Sequence, residues 1–213
     1  MSKKFKRKHN QRQQYNFIYI FTEGNRTEPI YFEFKKKEIE SEIRRKNIKV
    51  EINGKGFNTM SLVDFALDFI KKEKINLNID ECWVVFDKDD FDKDFDNAIN
   101  KAIKNNLKVA YSNEAFELWF LLHFNFVNSA ITRKDYNTKI TENFRILTGN
   151  KKYKYDKVKS VSQLIEKIKD KESEAIKNAK KLLRQHEREN SFKKKNPSTT
   201  VHLLVEQLNK LKL

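Results

Sequence analysis

Acidic side chains stand at two places in this sequence where an apolar run ends. Glu23 and Glu28 follow the run NFIYIFT, and Asp87 and Asp89 follow the run CWVVF. If both runs are neighbouring strands of a parallel sheet, their carboxyl ends open on one crevice, where such folds bind ligands. Carboxylates gathered in one crevice repel each other unless they are protonated or bind a cation. Their oxygens suit Mg²⁺ or Mn²⁺.

The chemistry that such a crevice favours is metal-dependent hydrolysis of a phosphodiester, because a divalent cation polarises phosphoryl oxygens and activates water. Asp87 and Asp89 are two residues apart and would leave an extended strand on the same face. Gly24 permits a tight turn directly after Glu23, so a substrate phosphate can approach. In the alternative interpretation the acids only cap or begin the next helix, as Asp89 or Asp90 could do.

Other polar residues near the predicted strand ends are weaker candidates, and Asp90, directly after Asp89, is one of them. Ser112 and Asn113 end a fourth predicted strand and could contact phosphate, although a helix cap explains them equally well. Glu117 lies among aromatic residues, and it either joins a polar stripe or points into the crevice. His123 stands alone at a predicted helix end, where a structural role is commoner than catalysis.

The net charge of +15 is concentrated at the two ends of the chain. Residues 1–12 carry six basic residues and no acidic ones, and residues 151–213 carry 18 basic against 8 acidic residues. Basic ends suit a polyanion that is held through its phosphates, and Lys193, Lys194 and Lys195 are candidates for such contacts. The competing interpretation is that the lysines serve only solubility.

Several classes of protein are excluded by composition and motifs. With a single cysteine, Cys82, the chain forms neither an internal disulfide framework nor a cysteine-rich zinc site. No apolar stretch approaches the roughly 20 residues that span a bilayer, and no signal-peptide pattern follows the basic amino terminus. We therefore expect a cytoplasmic protein without a membrane partner. The absence of GxxxxGK[ST] and GxGxxG loops argues against an autonomous ATPase or a dinucleotide enzyme.

Apolar strands alternate with amphipathic helices in the first part of the chain, which indicates an α/β fold with a mainly parallel, four-stranded sheet. The expected strands are residues 16–22, 48–52, 82–86 and 107–111, and the expected helices are residues 30–46, 59–72, 95–103 and 116–122. Beyond residue 131 the alternation stops. There we expect a loop-rich connection at 132–156, one long helix at 159–189, and a last helix at 199–213 that begins after Asn196-Pro197-Ser198-Thr199.

The sequence resembles the RloB-like family, which has a Toprim-type fold. Four segments carry the resemblance in the family's order: FTEGNRTEPIYF (21–32), VVFDKDD (84–90), SNEAFELWFLLHF (112–124) and NPSTTVHLL (196–204). They spread over most of residues 16–208. The chain departs from the family at Glu114-Ala115, where a proline is expected after Ser-Asn. This departure loosens the geometry of a helix start and does not affect the acids.

The resemblance implies a role for each acid. In the Toprim pattern a glutamate follows the first strand and Asp-x-Asp follows the third, and these positions are Glu23, Asp87 and Asp89 here. Glu28 matches a second acid of the related overcoming-lysogenization-defect nucleases, which would complete a second metal site. The family implies Mg²⁺-dependent nuclease activity in prokaryotic anti-phage defence, often beside a partner ATPase.

We therefore expect a disordered basic arm at 1–14, a Toprim-like catalytic domain at 15–130, and a basic, mostly helical extension at 131–213 that packs on it. Asp87 and Asp89 would hold Mg²⁺, and Glu23 would act as general base or bridging ligand. The substrate is DNA or RNA, and the sequence is compatible with a homo-oligomer. The alternative is a non-catalytic nucleic-acid-binding or partner-docking subunit. A primase-like nucleotidyl transferase ranks third, because no zinc module is evident.

Overall fold

Among the described residues, five strands form one mostly parallel sheet, whereas the sequence predicts four. They are β1 (Asn16–Thr22), β2 (Ile48–Gly54), β3 (Glu81–Asp87), β4 (Lys108–Asn113) and β5 (Ser198–Thr199). The computed structural model describes residues 16–42, 48–54, 56, 58–88 and 94–212. The strand order is β2-β1-β3-β4-β5, and every neighbouring pair is parallel except β4 with β5.

Helices cover both faces of this sheet. Those in the described ranges are α1 (Thr27–Glu42), α2 (Thr59–Glu73), α3 (Phe95–Lys104), α4 (Glu117–Leu122), α5 (Arg133–Thr148), α6 (Val161–Ile168), α7 (Glu172–Gln185) and α8 (Val201–Asn209). None of the helices in this part of the chain is long and apolar enough to cross a membrane. The α/β class and the mainly parallel sheet predicted from the sequence are thus confirmed.

Helix α5 lies where the sequence analysis expects a loop, so that prediction is wrong. Thr132 begins the helix with a capping box, in which its side chain accepts from the Asp135 amide and the Asp135 carboxylate accepts from the Thr132 amide. Gly149 ends it with a φ of 70°, in the left-handed region that glycine favours. The signal for this helix is therefore the Thr-x-x-Asp spacing, which reciprocally satisfies exposed amides.

The long helix expected at 159–189 is also interrupted. A short 3-10 turn, Lys169–Lys171, separates α6 from α7. Each of the two helices then buries its own apolar stripe, represented by Leu164 and Leu182, which are both fully buried. Helical spacing of the apolar side chains does not by itself reveal this 3-10 turn.

Strand β5 replaces the expected helix start near Pro197, and it also changes the role of two site candidates. Ser112 pairs with Thr199 and Asn113 pairs with Ser198, so Ser112 and Asn113 are the end of β4 and cap no helix. Helix α4 begins instead after Phe116, without a side-chain cap. The short polar side chains are buried, and cross-strand partners satisfy them better than a cap would.

The hydrophobic core lies on both faces of the sheet. On one face α2 and α3 pack through residues such as Leu62 and Ile99. On the other face α1 and α4 share a single cluster with the helices of residues 131–213, in which Ile20, Trp119 and Leu204 are all fully buried. The carboxyl-terminal segment thus contributes to the same core as β1. The expected basic arm, residues 1–14, lies outside the described residues.

Candidate functional site

Strands β1 and β3 are neighbours, and their carboxyl ends bring Glu23 beside Asp87. Thr22 pairs with Val85, and the Glu23 amide donates to the Val85 carbonyl at 2.9 Å. The Asp87 amide donates to Oε2 of Glu23 at 3.2 Å. The Thr59 hydroxyl, at the start of α2, donates to Oε1 of Glu23 at 3.0 Å. Two separate elements therefore orient the Glu23 carboxylate, as expected for a group with a fixed task.

Glu28 lies in the first turn of α1 and is 7% exposed. Its carboxylate rests against Gly24, where an added Cβ would lie 2.6 Å from Oε1 of Glu28. The space that Gly24 leaves open is thus filled by Glu28, whereas the sequence analysis expects a substrate phosphate to approach there. Because Gly24 has no Cβ, the buried carboxylate can turn back toward the end of β1.

Glu117 is 2% exposed and does not belong to a polar surface stripe. It lies in the first turn of α4, and its Oε1 accepts from the Tyr155 hydroxyl at 3.1 Å. The Lys157 ammonium lies 3.3 Å from the same oxygen. Burial and the negative charge of Glu117 raise the pKa of Tyr155, so this tyrosine stays protonated and remains a donor.

Glu28, Asp87 and Glu117 form what we call the buried acidic cluster. Burial raises the pKa of Asp87 well above its usual range, and the charges of Glu28 and Glu117 raise it further, while Arg133 opposes the shift. Burial likewise raises the pKa of Glu28; the charge of Glu117 adds to this effect and that of Lys157 counteracts it. The closest approach of Arg133 to Asp87 is 3.8 Å. Two cationic side chains thus compensate the cluster only in part.

An open pocket of about 210 Å³ lies at the carboxyl ends of β1 and β3. Its lining combines three carboxylates with three cationic side chains. The lining residues are Glu23, Gly24, Asn25, Arg26, Thr27, Glu28, Asp87, Arg133 and Lys157. Carboxylates suit a hard cation and guanidinium or ammonium groups suit a phosphate, so one pocket offers ligands for both.

The donors of this pocket fit Mg²⁺ or Mn²⁺. Magnesium is usually held by one or two carboxylates and keeps several waters. Glu28 and Asp87 supply two carboxylates, and a bound cation would relieve the repulsion between them. Within the described ranges, no group of three His, Cys, Asp or Glu side chains is arranged to hold a metal ion. Asp89 and Asp90 lie outside those ranges, so the grip expected from Asp87 and Asp89 stays a prediction.

Two of the other candidates, Ser112 and Asn113, take part in the pairing of β4 with its surroundings. The Ser112 hydroxyl lies 3.1 Å from the Thr199 hydroxyl. The Asn113 amide group donates to the carbonyls of Phe192 and Lys193 at 3.1 and 2.9 Å. Neither residue is among those that line the pocket, and these contacts make both of them structural.

Lys193, Lys194 and Lys195 follow one another around a 3-10 turn that starts at Phe192. Lys193 and Lys194 are exposed, and the Lys195 ammonium lies 4.9 Å from the centre of the Phe192 ring. They do not belong to the pocket lining. Their role in binding nucleic acid therefore stays a prediction.

His123 is a core residue rather than part of the pocket. Its Nδ1 lies 2.8 Å from the Trp119 carbonyl, and its ring packs edge-on against the Trp119 ring at 4.9 Å. Burial lowers the pKa of His123 to about 4, so the ring is neutral at physiological pH. These contacts agree with the structural role that the sequence analysis considers commoner.

Four residues that surround the acids were not predicted from the sequence: Thr59, Arg133, Tyr155 and Lys157. Arg133, Tyr155 and Lys157 fall in or beside the stretch expected to be loop. Two signals could have found them, namely the capping box that starts α5 and the alternation of lysine with tyrosine in KKYKY, residues 151–155. Alternation of this kind buries one set of side chains and exposes the other.

One of three comparisons with known proteins finds a match, and it identifies the family of the chain. A family model described as RloB-like protein matches residues 18–208, a range that includes every residue of the pocket lining. No curated protein matches the chain, and no solved structure does. Because the match spans most of the chain and confirms the resemblance seen in the four motifs, this chain belongs to the RloB-like family.

Proposed function

We propose that this protein is a Mg²⁺-dependent nuclease that hydrolyses phosphodiester bonds in DNA or RNA. The observation that carries the proposal is the buried acidic cluster, two of whose members, Glu28 and Asp87, line the pocket together with Arg133 and Lys157. Burying three carboxylates together is costly for stability. A cation and a phosphate bound in the pocket would give that arrangement a function.

Glu28 and Asp87 are the residues that would hold the cation, joined by Asp89 as the sequence analysis expects. When bound, the cation stabilises charge on the phosphoryl oxygens and activates water for attack. Glu23 is oriented by Thr59 and by the Asp87 amide, so its carboxylate is suited to take the proton of the attacking water. Water would then add to phosphorus while Glu23 takes its proton, and the bond from phosphorus to the leaving oxygen would break, with a solvent proton converting that oxygen to a hydroxyl.

Arg133 and Lys157 would position the scissile phosphate. Their cationic groups lie 3.8 Å from Asp87 and 3.3 Å from Glu117, so each can exchange a carboxylate for a phosphate oxygen without leaving the pocket. A guanidinium offers two parallel donors to a phosphate, and an ammonium acts as a point charge. The mixed charge of the pocket is thus expected to favour a phosphodiester over a neutral ligand.

Membership of the RloB-like family supports a role in prokaryotic anti-phage defence with a partner ATPase. The given sequence contains no GxxxxGK[ST] loop, and a partner protein is the source of ATP hydrolysis in this proposal. We propose that such a partner controls when the nuclease acts. Co-purification with the candidate ATPase, followed by cleavage assays with and without ATP, would test this part of the proposal.

A second candidate function is a non-catalytic subunit that binds nucleic acid or docks on a partner. The ion pairs of Lys157 with Glu117 and of Arg133 with Asp87 favour it, because acids that already have cationic partners can be structural. Under this alternative the protein binds nucleic acid equally well with Mg²⁺ or with EDTA, and it cuts no substrate.

Cleavage of labelled DNA and of total tRNA with Mg²⁺ or Mn²⁺, with and without EDTA, separates the two functions. Asp87→Asn should abolish cleavage because it removes a charged ligand at nearly constant volume. Asp64→Asn is the matched control, since the Asp64 side chain is half exposed and its one ion pair within the described residues is with Lys101. Loss of activity in Asp87→Asn but not in Asp64→Asn supports the nuclease proposal. Cleavage that persists in Asp87→Asn contradicts it.

A further inference from the structure

The segment between α5 and α6, residues 150–160, alternates buried tyrosines with exposed lysines, and we call it the lysine loop. Tyr153 and Tyr155 are each 5% exposed, whereas Lys151, Lys152 and Lys154 are exposed to solvent. An extended chain directs successive side chains to opposite sides. The loop therefore presents its lysines outward from a base made of aromatic rings.

The base of the lysine loop is anchored on α5. The Tyr153 ring stacks on the Phe144 ring with centroids 3.7 Å apart, and Nε of Arg145 donates to the Tyr153 carbonyl at 2.7 Å. The Tyr155 amide donates to the Thr141 hydroxyl at 3.0 Å. These contacts hold the backbone in place before any ligand binds, which lowers the entropy cost of binding.

The lysine loop also reaches the pocket directly. The Tyr155 hydroxyl donates to Glu117 of the buried acidic cluster, and Lys157 both lines the pocket and pairs with Glu117. A ligand that contacts the exposed lysines would thus continue into the pocket. This continuity distinguishes the loop from Lys193, Lys194 and Lys195, which are absent from the pocket lining.

The positive charge of the lysine loop is largely uncompensated. The loop carries five lysines and one acid, Asp156. The Asp156 carboxylate accepts from the amides of Val158 and Lys159 at 2.8 and 2.9 Å, so it stabilises the turn of the loop itself. Lys151, Lys152 and Lys154 form no ion pair with any described residue. Like charges gathered without partners suit a polyanionic ligand.

We propose that the lysine loop binds the phosphate backbone of the nucleic acid and guides it to the pocket. This inference rests on the proposed function, because it names the surface that supplies substrate to that site. An anionic membrane is the weaker ligand, since Val158, 52% exposed, is the loop's one exposed apolar side chain and surface-binding segments need a larger apolar face. The continuity with a pocket that can bind phosphate favours nucleic acid.

The test measures the affinity of the full chain for fluorescein-labelled single-stranded and duplex oligonucleotides by anisotropy, in EDTA, over a series of salt concentrations. The loop variant is Lys151→Gln/Lys152→Gln/Lys154→Gln, and the matched control is Lys71→Gln/Lys72→Gln/Lys104→Gln, which removes three exposed lysines of α2 and α3. A third variant replaces the three loop lysines with arginine and keeps the charge. Thermal melting of each variant verifies that it folds.

Each lost phosphate contact makes the slope of log affinity against log salt shallower by about 0.7 for single strands and about 0.9 for duplex. The loop variant should therefore lose about 2 to 3 in slope and about 10²-fold in affinity at about 0.1 M salt. The arginine variant should keep both values. The control should keep the wild-type slope.

A loop variant that binds as tightly as the wild type, or a loss confined to the control, would overturn the inference. Binding of the wild type to phosphatidylserine vesicles but to neither oligonucleotide would also overturn it. Because binding is measured in EDTA, the result is independent of cleavage. If the loop variant binds weakly while the wild type never cuts DNA or RNA, the lysine loop is supported and the nuclease proposal fails.

Discussion

Gly24→Ala should impair cleavage with little effect on stability, because the three atoms nearest to the new methyl group all belong to the Glu28 carboxylate. The added Cβ would lie 2.6 Å from Oε1 of Glu28, whereas ordinary contacts begin near 3.4 Å. The carboxylate must therefore move by about 1 Å, since atoms this close repel steeply. A displacement of this size at a reacting centre costs about 10²-fold in rate, or about 2.7 kcal/mol of activation free energy.

The stability of the same variant should change little. Gly24 is not among the glycines with positive φ, so alanine fits the backbone there. Replacing glycine where alanine fits stabilises by about 0.4–1 kcal/mol through the unfolded chain, which offsets the cost of moving the Glu28 side chain. We expect a melting temperature within a few degrees of the wild type.

The assay compares kcat for cleavage with the melting temperature of each variant. Gly149→Ala is the control: its φ is 70° and no atom lies within 4 Å of the added Cβ, so it should lose about 1 kcal/mol of stability and keep its activity. Gly24→Ala/Glu28→Asp shortens the displaced side chain and should recover about tenfold of the lost rate. Cleavage by Gly24→Ala at a rate within about threefold of the wild type would refute this prediction.

Three further predictions follow from the charges and hydrogen bonds around the pocket and the core. The pKa of Asp87 is raised in the folded state, so its ionisation lowers stability as the pH rises above the usual carboxyl range. In EDTA at about pH 8, Asp87→Asn should therefore melt at a higher temperature than the wild type. A lower melting temperature would contradict this prediction. The pKa of His123 is lowered to about 4, so up to about 3 kcal/mol of stability should be lost as the pH falls from about 6.5 to about 4. In denaturant titrations at a series of pH values, His123→Asn should make the stability depend less on pH. An unchanged pH dependence would contradict the assignment to His123. Tyr155→Phe removes the donor to Glu117 and should lower both stability, by about 1–2 kcal/mol, and the cleavage rate, by about tenfold; wild-type values for both would exclude a positioning role.

The sequence alone determined the α/β class, and it placed Glu23 and Asp87 together on the condition that β1 and β3 are neighbours. Runs such as residues 16–22 and 82–86 are apolar enough to be buried strands, and this property is local. Once such strands lie parallel and adjacent, their carboxyl ends fall at the same edge of the sheet. Residues at that edge then lie close together. Asp87, which pairs with Ser112 of β4, is one of them.

Helix α5 was predictable from the sequence but was not predicted, because its apolar face is narrow. Tyr136, Ile140 and Phe144 are fully buried at a spacing of four residues, and the rest of the helix is polar except for Ile146 and Leu147, which are exposed. A single apolar stripe of this kind gives a low average hydrophobicity over a window of residues, although the spacing of its residues is helical. The capping box at Thr132 was the stronger local signal.

Only the tertiary structure decided the surroundings of the acids. Strand β5 is two residues long, too short for any periodic pattern, and it forms because β4 offers a partner. Glu117 meets Tyr155 across 38 positions of sequence, and its burial depends on where the lysine loop is anchored on α5. Contacts between distant segments arise from the packing of completed elements, and local propensities carry no information about which side chains that packing brings together.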